Sequence, residues 1–241
     1  MEQSGTSTLL QGAVRDLATS VASALRGGGH GTVAGEAVAA GAGDGLVVAA
    51  ARVLGADLML PHVLFRTPPA PEELAVFRQA VEAHPPRADA APTVRWSHWA
   101  MRRTLGRLTS PLDEPHMGGE DPADAEPDAT WLDDAPWQTL AHQLSVLAAL
   151  AVPGEDCAVA RAARRRPVDV ARGFVRAVRR RDWGQAAGAG RWLTLLDGVP
   201  ATLGLEAGLD FVDLMGGSDP RVALQVRAAR LFGTETLVGR P

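Results

Sequence analysis

Lysine, tyrosine, asparagine and isoleucine are absent from this chain, and cysteine occurs once. Each absence removes a chemistry. Without lysine there is no Schiff-base amine, no lysine general base and no Walker-type phosphate clamp. Without tyrosine there is no phenolic acid or base. One cysteine, Cys157, cannot close an internal disulfide. The missing residues mostly have A/T-rich codons, so their absence points to a very GC-rich, actinobacterial type of genome. Any catalysis must draw on six histidines, 28 carboxylates, hydroxyls, Cys157 and the arginines, which number 24 and supply every cation outside histidine.

Long apolar runs are also scarce. One such run, Leu46 to Ala51, stops at Arg52, well short of the roughly 20 residues that span a bilayer. The first residues carry no basic region followed by an apolar core. With a single thiol, this gives the expectation of a cytoplasmic protein with no membrane partner.

What is present is helical periodicity. Leu10, Val14, Leu17, Val21 and Leu25 recur at helical spacing. A second helical stretch is expected from about Val33 to Gly55, broken by glycines at 41–45. Leu58 to Phe65 reads as a strand or buried loop, the one candidate for a minor β element. Pro71, Glu72 and Glu73 open a helix with the stripe Leu74, Phe77, Val81 and His84, which makes His84 a core histidine. Val94, Met101, Leu105 and Leu108 mark the next. Ser110 to Thr130, dense in Pro, Gly, Asp and Glu, reads as a flexible acidic loop. Beyond it come short helices: one with the stripe Trp137, Leu140, Leu144 and Leu147, then Asp156–Arg166, Pro167–Asp182, Gln185–Leu196, Thr202–Met215 and Pro220–Phe232. The expectation is therefore a mostly α chain: an N-terminal helical portion over 1–109, the acidic loop over 110–130, and an array of antiparallel helix hairpins over 131–241.

Arg181-Asp182-Trp183-Gly184-Gln185-Ala186, followed by Leu193 to Asp197, resembles the turn and second helix of one tetratricopeptide unit. Gly190 stands where that unit has a large apolar residue, and no second copy follows at the repeat period. The segment is read as one helix-turn-helix hairpin.

The net charge of −4 conceals a segregation. Leu108 to Cys157 holds eleven carboxylates and no arginine; Ala158 to Arg191 holds ten arginines and two carboxylates. On a helix opened by Pro167, Ala171, Phe174, Val175 and Val178 would face the core. Arg172, Arg176, Arg179 and Arg180 would fall opposite, with Arg164 and Arg165 just upstream. Guanidinium forks suit carboxylate or phosphate. The competing account is a solvated helix face answered by the acidic residues Asp113 to Asp134, and in a lysine-free chain arginine must do all surface cation duty.

Other constellations close less well. In Arg95-Trp96-Ser97-His98-Trp99, Trp96, Trp99 and Arg102 would wall a pocket for a planar or anionic ligand, with His98 moving protons, or the tryptophans would anchor a helix. Asp133 and Asp134 resemble the paired aspartates with which helical isoprenoid enzymes hold Mg²⁺, but the second metal motif is missing. Capping of the following helix is the simpler expectation. Cys157 lies near a helix start, where a thiol is activated if exposed. The histidines show no zinc spacing, and no cofactor or metal is expected.

These readings favour a non-enzymatic interaction protein, adaptor or regulatory, with a protein partner and an anionic ligand as the secondary option. The alternative is a small-molecule enzyme or binder of specialised metabolism using the Trp/His/Arg pocket. The third is nucleic-acid binding through the arginine helix, against which the overall acidity argues.

Overall fold

The computed structural model describes residues 2–28, 44–109 and 125–238. Residues 110–124 of the expected acidic loop lie outside them, as do 29–43, with most of both glycine clusters and the start of the helix expected from Val33. The chain is mostly α, and no strand occurs among the described residues. It divides into two compact units, Met1–Pro127 and Asp128–Pro241.

In the first unit α1 (Glu2–Arg26) buries Val14, Leu17, Val21 and Leu25 of the stripe read from sequence, while Leu10 is half-buried. It packs on α2 (Asp44–Leu54), and α2 packs on α4 (Pro71–Ala83). The segment from 58 to 65 is not a strand. Gly55, at φ +68°, leaves the α2 path, and a 3-10 turn (Gly55–Met59) leads into α3 (Leu60–Phe65). Leu58, Met59 and Leu60 are all buried, and a short run buried on every side carries no period to separate strand from helix. By length and composition Gly45–Phe65 is long and apolar enough to cross a membrane, although no such segment was expected. Two-thirds of that stretch is buried inside the unit.

The opening of α4 follows its sequence. Pro71 occupies the first turn, and the Glu73 carboxylate accepts the Ala70 N–H at 3.2 Å. The stripe ends early, because His84 is exposed and only its carbonyl is used, accepting from Arg52 Nε at 3.4 Å. In α5 (Pro92–Thr109) the buried residues are Trp96, Trp99, Ala100 and Met101, while Val94 of the expected stripe is exposed.

The second unit gathers around one helix. Its elements are α6 (Trp137–Val146), α7 (Ala158–Arg165), α8 (Pro167–Arg179), α9 (Trp183–Leu193), α10 (Leu205–Gly216) and α11 (Pro220–Val238). From Ala186 to Leu193 every residue of α9 is buried, and α6, α8, α10 and α11 all pack on it. A helix apolar all round belongs in an interior, and alanine and glycine let its neighbours come close. Its start is fixed locally: Arg181 turns the chain at φ +58°, and the Asp182 side chain accepts the Gln185 N–H at 3.1 Å. Trp192 donates from its indole to the Leu144 carbonyl at 2.7 Å, which ties α9 to α6.

Candidate functional site

The most developed surface feature lies along α8. Pro167 takes the first helical turn and Asp169 sits within it, opposing the helix dipole. Val170, Ala171, Gly173, Phe174 and Ala177 face the core. The apolar face is thus rotated from the expected one: Val175 is 43% exposed. Arg172, Arg176, Arg179 and Arg180 are exposed and line an open groove of about 1030 Å³. Trp137, Val168 and Val175 give it an apolar part, and Pro200, Thr202 and Leu203 also line it. The Arg176 guanidinium lies 5.8 Å from the Trp137 ring centroid, in cation–π range.

Apart from Arg181 and Arg191, the arginines of the block separate into two populations. The upstream members are tied into the fold. Arg164 and Arg161 both pair with Asp156, and the Arg164 hydrogen bond holds the Asp156 carboxyl below its ordinary 3.8. Arg165 pairs with Asp133. Arg166 pairs with Asp169 at 2.7 Å and donates to the carbonyls of Leu132, Asp133 and Ala135. Downstream, Arg172 has only a 3.4 Å contact with Asp169. Arg179 and Arg180 form no ion pair among the described residues, and no carboxylate lines the groove there. Within the acidic stretch from Asp113 to Asp134, Asp133 pairs with Arg165 of the arginine block.

The remaining sequence candidates fall elsewhere. Asp133 and Asp134 do not cap α6; Pro136 holds the cap position without a side-chain hydrogen bond, and Asp133 is turned to Arg165. No His/Cys/Asp/Glu group among the described residues could hold a metal. Cys157 is fully buried at the N-cap of α7. Trp96 and Trp99 pack edge to face, centroids 5.1 Å apart, and Trp96 has no exposure. Arg103 lies over Trp99, at 5.2 Å. The His98 Nε2 hydrogen-bonds the Val81 carbonyl at 3.2 Å. Burial pushes its pKa below 6.5, partly offset by that bond, with Arg52 and Arg102 adding to the decrease.

Sequence reading missed the buried polar groups. His62 and Glu73 are 5% and 1% exposed, with Nε2 3.2 Å from Oε2. That separation suits an ion pair, but the two are not aligned as a hydrogen bond. Arg191 has no exposure; its Nε donates to the Ala151 carbonyl at 2.9 Å, its Nη1 to Gln225 Oε1 at 2.8 Å, and its guanidinium lies 5.4 Å from the Phe232 ring centroid. The only sequence signal for Arg191 was a charge inside an Ala/Gly/Trp/Leu helix.

Compared with protein-family models, curated proteins and solved structures, the chain matches none.

Proposed function

We propose that this protein is a helical interaction module whose C-terminal unit binds an acidic segment of a partner protein in the α8 groove. The observation that carries the reading is the set Arg172, Arg176, Arg179 and Arg180 on one groove that no carboxylate lines among the described residues. The helix repeats every 3.6 residues at 1.5 Å per residue, so these four form a cationic strip along about two turns. Exposed Val168 and Val175 beside Trp137 offer apolar contact next to that charge, and Arg and Trp are the residue types on which interfaces most depend. α10 of the same unit also leaves Phe211, Leu214 and Met215 exposed, Leu214 at 81%, as an interaction surface does.

The alternative, a pocket built on Trp96, His98, Trp99 and Arg102, has less behind it because Trp96 is in the core. For nucleic acid, the cationic strip is short and the chain is net acidic.

The test is fluorescence anisotropy with a labelled oligoglutamate peptide, alongside single-stranded DNA of equal charge. Binding of the peptide should weaken steeply as salt rises from about 50 to about 300 mM. Arg176→Glu, Arg179→Glu and Arg180→Glu together should weaken it at least about tenfold, with an unchanged circular dichroism spectrum because all three side chains are exposed. Unaltered peptide affinity in the triple variant overturns the reading, and tighter binding of the DNA moves it to nucleic acid.

A further inference from the structure

The first unit carries a second cleft, of about 460 Å³, independent of the α8 groove. Arg52 projects from α2 into its wall, half-buried. Every acceptor it has is neutral and distant: the His84 carbonyl at 3.4 Å, Ser97 Oγ at 3.4 Å and Met101 Sδ at 3.8 Å. No carboxylate pairs with it among the described residues, in a unit where Glu73 is paired even though buried. A guanidinium has five N–H donors in a fork shaped for a carboxylate. Arg52 thus keeps strong donor capacity unused, and the desolvation that disfavours its charged form meets no compensating charge. The cleft walls beside it are apolar: Leu10, Ala49, Val53, Pro85, Pro86 and Val94. Asp89 and Arg87 also line it, as does His84.

We propose that this cleft binds a small monocarboxylate with an apolar body, its carboxylate on the Arg52 guanidinium and its body against Val53, Pro85, Pro86 and Val94. The volume falls within the roughly 300–1,000 Å³ of small-molecule sites, which join apolar walls to a few placed polar groups. A monoanion fits better than a phosphate. The lining holds two arginines, Arg52 and Arg87, and one carboxylate, Asp89, so a single negative charge balances it and a phosphate dianion does not.

Isothermal titration of the full chain with sodium decanoate tests this, with sodium acetate and decanol as probes lacking one half of the ligand. The expected result is saturable one-to-one binding of decanoate below about 1 mM, with acetate and decanol each weaker by at least about tenfold. Arg52→Gln should lose at least about tenfold in affinity. Val53→Asp changes an exposed position and sets a charge against the apolar body of an anionic ligand, so it should abolish binding even if Arg52→Gln proves unstable. Absence of saturable decanoate binding, equal binding of decanol, or affinity within about twofold of wild type in Val53→Asp overturns the proposal.

Discussion

Protonating His98 is harder in the folded chain than in the unfolded one. Its ring is partly withdrawn from water, and its Nε2–H is committed to Val81, with Arg52 and Arg102 nearby. The folded pKa therefore lies below 6.5. Between these two values the unfolded chain takes up a proton that the folded chain refuses, so stability falls as pH drops from 6.5 towards the folded value and is level above it. His98→Gln keeps a donor towards Val81 but cannot titrate. It should flatten the fall in urea midpoint between about pH 7 and pH 5. An unchanged slope would assign the acid sensitivity to another group. At this scale sequence showed which residues were chemically able, not which were placed to act. Cys157, Trp96 and Asp133 were all legible as candidates, and each is occupied by burial or an ion pair made with a residue distant in sequence.

Among the elements, α9 is decided by small side chains. A Cβ on Gly188 would meet the Ser145 carbonyl oxygen at 2.7 Å, and backbone cannot give way as a flexible side chain can. Gly188→Ala gains helix propensity of about 1 kcal/mol. The overlap with α6 should outweigh that gain and leave the variant less stable by about 1–2 kcal/mol, read from chemical denaturation. A stabilised variant would mean that α6 and α9 can separate without loss. The helix boundaries were largely readable, because proline, glycine and the Asp182 cap act locally. Which face turned inward was less so. α5 has two candidate stripes, and the one containing Trp96 and Trp99 wins because those rings bury the most area. On α8 the stripe through Val170 and Ala177 displaced the one through Val175, since α9 is the neighbour it packs on and Gly173 is where Ala141 of α6 makes its close approach.

The whole molecule is two compact units, each with its own interior. The second closes Leu140, Leu144, Phe174 and Phe232 around α9, and all of these residues belong to that unit. Residues 128–241 expressed alone should retain helical circular dichroism and melt in one cooperative transition. A broad, non-cooperative melt would show that the units depend on each other. The same fragment should bind oligoglutamate with the full chain's affinity, since the groove is built from α6, α8 and the stretch 200–203. Sequence by itself determined the helical class, the chemistries removed by the missing residues, and the concentration of arginine after Ala158, because composition and short-range periodicity are properties of the chain. Tertiary structure decided which arginines were already engaged. Arg165 and Arg166 were drawn to Asp133 and Asp169, whereas Arg179 and Arg180 were left facing a groove. It also placed Arg52 beside a cleft, with no carboxylate paired to it among the described residues. Ion pairing and burial depend on distances between residues tens of positions apart, and only the packed chain sets those distances.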